Sequence, residues 1–189
     1  MIEYSKFLDG PEDRMNVFIL DDNMEKSVSY YANAHVVKIL LEMGQLLSNG
    51  YRELFNDHLT AEIDSIIYKE THKNHPWSVW TRESIDNWLW LFAKFSCLSV
   101  EYSYRYGRIH KTFEKLYPVF MAVSRDIDKL THINISPVPL CMPEQYRVKD
   151  NPVQSYRNYY LGEKSHLFDW KVRKTPYWIQ AAITSKKRN

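Results

Sequence analysis

The sequence predicts a mostly α fold, a single compact helical domain with one short extended N-terminal segment. Three observations carry this. Apolar residues recur at three- and four-residue spacing or its seven-residue sum over long windows, as in Val28, Ala32, Ile39 and Leu46, and again in Trp88, Leu91, Phe95 and Leu98. Cap and stop residues bracket such windows, with Ser84 before the second and Gly107 after it. At 189 residues the chain has the length of one domain with a substantial core, and no repeat or second domain interrupts it.

Residues 1–14 are polar, contain the turn-like run Asp9-Gly10-Pro11-Glu12-Asp13, and read as an N-terminal extension. Val17-Phe18-Ile19-Leu20 is an apolar run that reads as a short strand or an extended lead-in. Met15, just before it, is a second candidate start. A helix is predicted over 23–49, with His35 and Glu42 in its apolar stripe and Asn49-Gly50 as its stop. A second covers 61–69. The run from His72 to Trp77 is a loop, because Pro76 turns His75 away from the α region. Thr81 or Ser84 caps the next helix, which runs to Tyr106 and carries Glu101 and Arg105 in line with its apolar stripe. Another helix spans 111–129. Residues 131–148 hold Pro137, Pro139 and Pro143 and form an extended crossing. Asp150 or Asn151 caps a final helix that begins at Pro152, a residue suited to the first helical position. The domain so defined spans 15–180, and 181–189 form a basic tail ending Lys186-Lys187-Arg188-Asn189.

Composition narrows the function. The 14 Tyr and 6 Trp suit a helical core and equally a surface that stacks on bases. Five Gly are too few for a Gly-rich phosphate loop, and neither GxGxxG nor GxxxxGK[ST] occurs. GxSxG and nucleophilic-Cys motifs are missing too, which excludes a triad hydrolase. Charge is uneven: residues 1–70 carry 13 acids and 6 bases, net −7, and residues 71–189 carry 10 acids and 19 bases, net +9. A basic half facing a polyanion is one reading, and a solvated basic surface is the other. No apolar run reaches the ~18 residues of a membrane helix. Cys97 and Cys141 without a secretory signal point to a reducing cytoplasm.

Ionisable groups inside apolar helical stretches are costly unless paired, so they mark candidate sites. His35, Lys38 and Glu42 share one helix face, where a carboxylate beside a base and an ammonium acts as general base or stabilises a developing cation. The plainer alternative is an ion pair beside a core histidine. Arg105 can pair with Glu101, and Arg105, Arg108, His110 and Lys111 can instead form a phosphate cluster. His72 and His75, with Arg82 nearby, suit phosphate contact. The HxxH spacing alone is a weak metal signal, and no metal or cofactor is expected. Trp77 and Trp80 could stack on a base or anchor the core. Arg157 and Lys164 lie among Tyr156, Tyr159 and Tyr160, a pattern that suits nucleic acid and equally an amphipathic surface helix.

These residues carry a resemblance. MNVFILD from Met15, HVVKILLEMGQLL from His35, THKNHPWSVWTRES from Thr71, EYSYRYGRIHK from Glu101, MPEQYRVKDNPVQSYRNYYLGEK from Met142 and KTPYWI from Lys174 resemble a family of uncharacterised tailed-phage proteins. The match covers nearly the whole chain from Met15, with Asn33 where the family carries an acidic residue. That pattern is in turn distantly similar to pyrimidine-dimer DNA glycosylases of the phage endonuclease V type. Those are compact helical enzymes with a His and, seven residues on, a catalytic Glu, the spacing of His35 and Glu42. Their later helix ends in Glu, three residues, Arg, then Gly. Glu101 and Arg105 match, but Tyr106 intervenes before Gly107. The resemblance implies a nucleophilic N-terminal amine that forms a Schiff base at sugar C1′. Fourteen residues precede Met15, so that amine would be displaced, and Lys38 is the substitute.

The expected function is therefore a phage enzyme acting on a DNA base or nucleotide in the cytoplasm of the infected bacterial host. Glu42 would be general base or cation stabiliser, His35 and Lys38 would tune it, and the flipped base would enter a helical pocket. The alternatives are a transferase that hypermodifies DNA, such as one adding an amino acid to a modified thymine, and a non-catalytic protein binding a nucleotide or host factor.

Overall fold

A computed structural model describes residues 15–126 and 134–186, so the expected extension over 1–14 and the chain at 127–133 and 187–189 lie outside the described residues. The described residues form eight α-helices and no strand. Two 22-residue helices form the frame: α2 (Asn33–Leu54) and α5 (Ile85–Tyr106), each about 33 Å long. They pack on each other. α1 (Met24–Ser29) and α4 (Pro76–Glu83) lean on this pair, as does α6 (Lys111–Asp126). α3 (Ala61–Ile66) sits against α6, while α7 (Pro152–Glu163) is flanked by short 3-10 turns at Glu144–Tyr146 and Ser165–Leu167. α8 (Tyr177–Lys186) closes the chain.

Several boundaries follow local chemistry as the sequence predicts. Ser84 accepts from the Asn87 amide and starts α5, and Gly107 ends it at φ 65° in the left-handed region. Asn151 accepts from Gln154 and starts α7 at Pro152. Thr60 caps α3.

Others do not. The helix predicted over 23–49 is two helices, broken at Tyr30–Ala32. The break is held from outside: the Tyr31 hydroxyl donates to the Phe18 carbonyl, and the Ala32 amide donates to Tyr160 Oη at 2.7 Å. Asn49-Gly50 does not stop α2. The Asn49 side chain donates to the Thr71 carbonyl and to Ser78 Oγ, which ties down the loop before α4. At Gly50 a Cβ would come within 2.5 Å of Trp88 Cδ1, so the glycine permits close approach of α5. α3 ends before Lys69 because the chain turns extended and the Tyr68 amide donates to Ser48 Oγ. Trp77, expected in a loop, is the second residue of α4. Residues 181–186, expected in a basic tail, continue α8.

The extended N-terminal segment is real but is not a strand. Met15 to Leu20 are all buried, and side chains rather than a neighbouring strand satisfy the backbone. Leu20 N–H donates to Ser27 Oγ, and the Leu20 carbonyl accepts from Arg157 Nε. The segment thus threads between α2, α1 and α7.

Lys94 on α5 is 1% exposed; its ammonium donates to Ser27 Oγ at 3.1 Å and lies near the rings of Trp90 and Tyr31. Burial lowers its pKa to about 7 from an ordinary 10.5. Between those values only the unfolded chain holds the proton, so stability drops as pH falls through that window and levels off below it. Lys94→Met is expected to gain ~1–4 kcal/mol at pH 7, with the gain shrinking toward pH 10.5. Urea unfolding across that range checks this. Gly50→Ala is expected to cost ~1–3 kcal/mol by the same measurement, because the buried Trp88 ring must move.

Candidate functional site

Glu42, His35 and Lys38 fall on one face of α2 because their spacings are three, four and seven residues. They line a recess with Ile39, with Asn16 and Phe18 of the extended segment, and with Lys164 just past α7. Counted out to solvent, the recess holds about 210 Å³ of empty space. Glu42 is 8% exposed. One carboxylate oxygen accepts from the Asn16 amide at 3.3 Å, and the other lies 3.6 Å from Lys38 Nζ. Lys164 is 4% exposed, with its ammonium 5.4 Å from the centre of the Tyr159 ring.

His35 is neutral at physiological pH. Burial first, then the charges of Lys164, Lys38 and His166, lower it to about 3. Its Nδ1 lies 2.7 Å from Tyr160 Oη. That hydroxyl is buried and accepts from the Ala32 amide, and among the described residues Nδ1 is the acceptor within reach of its proton, so it donates a hydrogen bond to Nδ1. The imidazole then carries its proton on Nε2. Phe18 packs on the ring, 4.8 Å between centroids. The recess thus combines a carboxylate, a neutral imidazole of fixed tautomer and two ammonium groups.

Most of the other expected site residues have structural work instead, and the phosphate cluster around Arg105 is a correction. Arg105 is 5% exposed and spends its donors on Glu101 and on carbonyls at the break between α1 and α2. His110 is 9% exposed, accepts from the Thr112 amide as the cap of α6, and is lowered by burial to about 4. Arg108 and Lys111 alone of that group are exposed. His75 caps α4 by accepting from the Trp77 amide. His72, at φ 50°, has Nδ1 2.8 Å from Thr71 Oγ1. Arg82 joins Glu53 to the Lys73 carbonyl and closes the loop. Arg157 binds the Leu20 carbonyl and Asp21. Trp77 and Trp80, 0% and 4% exposed, are core anchors and cannot stack on a base; their indole N–H groups donate to Asn16 Oδ1 and the Ser136 carbonyl.

Of the expected set, the recess brings together Glu42, His35, Lys38 and Lys164. Sequence reasoning missed Asn16, Phe18 and the role of Tyr160. The available signal was a polar Asn16 at the head of an otherwise apolar run. Among the described residues no three His, Cys, Asp or Glu side chains are grouped to hold a metal, and no helix is long and apolar enough to cross a membrane. Comparison with protein-family models, curated proteins and solved structures finds no match.

Two outcomes follow from these buried groups. The unfolded chain protonates His35 near pH 6.5, but the folded one only near 3. Stability is therefore complete above 6.5 and declines as pH falls toward 3. His35→Gln should flatten the pH dependence of the urea midpoint by about one proton, or ~1.4 kcal/mol per pH unit. Arg105→Met leaves the Ser29 and Tyr31 carbonyls without their donor and removes one of the two cations on buried Glu101, and should cost ~3–5 kcal/mol, measured by thermal unfolding.

Proposed function

We propose that the chain is a phage enzyme acting on a DNA base or nucleotide by glycosylase-like chemistry at the sugar–base bond, with Glu42 as the catalytic carboxylate. The observation that carries this reading is the meeting of Glu42 with neutral His35 and the ammonium groups of Lys38 and Lys164 in one recess. A carboxylate there stabilises positive charge developing on the sugar as the bond to the base breaks. It also takes the proton of the attacking water, whose oxygen bonds to C1′ while the base leaves with the bonding electrons. The Nε2–H of His35 donates a hydrogen bond to the substrate. Lys38 orients Glu42, and Lys38 and Lys164 attract a flanking phosphate.

Two features refine the expectation. The recess has room for about one water molecule, far less than pockets that engulf a ligand, so in this reading the sugar–base junction is presented at its mouth and no whole flipped base enters. In the glycosylases this chain resembles, the nucleophile is an N-terminal amine. Here two nitrogens stand beside Glu42: the Asn16 amide, acylated by Met15 and a poor nucleophile, and Lys38 Nζ, held in its ion pair as an ammonium with no lone pair to attack with. Water is accordingly the nucleophile in this reading.

The test is incubation of the purified full chain with DNA, followed by nucleoside mass spectrometry and abasic-site detection. Wild-type protein should release a base and leave abasic sites. Glu42→Gln, whose amide oxygen can still accept from the Asn16 amide, should lower the rate by at least about 10²-fold while the chain stays folded by circular dichroism. A new nucleoside mass without abasic sites would replace this reading with DNA hypermodification. Unchanged nucleosides, with binding kept in Glu42→Gln, would replace it with non-catalytic binding.

A further inference from the structure

The connection from Lys164 to Lys174 leaves the recess and crosses to the C-terminal end of α5. Lys164 lines the recess. Asp169 receives both the backbone and side-chain N–H of Asn33, and the Lys171 amide donates to Asn33 Oδ1. Asn33 opens α2, so the crossing runs from Lys164 at the recess to the first turn of the helix that carries His35. It then covers the tyrosines of α5 with cations. Lys171 Nζ lies 4.7 Å from the centre of the Tyr106 ring, and the Arg173 guanidinium lies 4.1 Å from that of Tyr104. Tyr104 stays 56% exposed. Arg108 reaches the same ladder through Tyr102 Oη, and Lys174 is exposed beside Arg173.

The sign of this surface follows from the pairing beneath it. Glu101 is 4% exposed and is shared by Arg105 and Arg173, so that trio keeps a net positive charge. Asp169 is the opposing acid on the crossing, and its carboxylate is bonded to Asn33. Lys171, Lys174 and Arg108 add to the positive side. Arg173 is fixed by its two bonds to a buried carboxylate, so the cation over Tyr104 is pre-oriented. One exposed ring, Tyr104, and one half-buried ring, Tyr106, each beside a cation, together with a recess whose two ammonium groups outnumber its one carboxylate, match a repeating polyanion whose units carry flat rings.

We infer that the Lys164–Lys174 crossing and the C-terminal end of α5 form a track for the phosphate backbone of a DNA strand leading to the recess, with Lys171 and Lys174 meeting phosphates. The inference rests on reading the recess as a nucleic-acid site, and it adds Lys171, Arg173, Lys174 and Tyr104 to it. None of these four stands out in the sequence as a site residue.

The test is fluorescence anisotropy of the full chain with a labelled oligodeoxynucleotide over a range of salt concentrations. The Lys171→Ala/Lys174→Ala double variant should lower the slope of log affinity against log salt by about 2. Lys69→Ala/Lys73→Ala changes two exposed lysines on the loop before α4 and should leave the slope unchanged. An unchanged slope in the first variant, an equal loss in the control, or no binding by wild-type protein would overturn the track. So would binding to phosphatidylglycerol vesicles, but not to the oligonucleotide, that depends on Lys171 and Lys174. Glu42→Gln separates this inference from the proposed reaction. Turnover that needs Glu42 with no slope change at Lys171 and Lys174 removes the track and keeps the reaction; the converse removes the reaction and keeps the track.

Discussion

Arg105 carries its guanidinium into the interior at the interruption between α1 and α2, and the site depends on that contact. Backbone carbonyls at Ser29 and Tyr31 lose their helical partners there, and Arg105 donates to both at 2.9 and 2.8 Å. It also donates to Asn33 Oδ1 at 3.0 Å, which fixes the first turn of α2. Glu101, one turn earlier on α5, balances the charge at 2.6 Å, and Arg173 satisfies the rest of that carboxylate. A buried charge without such partners would be strongly unfavourable, so the network admits little freedom in how α2 meets α5. That geometry sets where His35, Lys38 and Glu42 project.

The second constraint is the extended segment. A six-residue stretch with no sheet partner can be buried only if side chains satisfy its backbone, and here Ser27, Tyr31, Arg157 and Glu42 do so. Glu42 therefore has a structural and a chemical place at once: it holds the Asn16 amide and faces the recess. Tyr160 has a similar double position. Its hydroxyl accepts from the Ala32 amide at the interruption and donates a hydrogen bond to His35 Nδ1. The tautomer of the imidazole is thus set by the same break that Arg105 stabilises.

Cations divide into two populations with different work. Arg52, Arg82, Arg105 and Arg157 are bonded to carbonyls and carboxylates and hold loops and segments together. Arginine suits this because its planar fork serves several acceptors at once. Lys38 and Lys164 line the recess, Lys38 in an ion pair with Glu42, and Lys171 and Lys174 stand exposed on the crossing. The histidines at positions 75 and 110 belong with the structural group, since each precedes a helix and accepts from its second amide.

By itself the sequence determined the helical class, the caps at Ser84 and Asn151, the stop at Gly107 and the shared face of His35, Lys38 and Glu42. These are legible because capping, left-handed φ and helical periodicity act within a few residues of chain. Only tertiary structure decided the break at Tyr31, the continuation of α2 past Gly50, and the burial of Trp77 and Trp80. Each depends on groups distant in the chain: Tyr160 at Ala32, Trp88 at Gly50, Asn16 at Trp77. The same limit explains the cations. A basic residue next to Tyr looks alike in sequence whether it meets solvent or a buried carbonyl, and the difference between Arg105 and Lys171 is which partners the fold brings within hydrogen-bond reach.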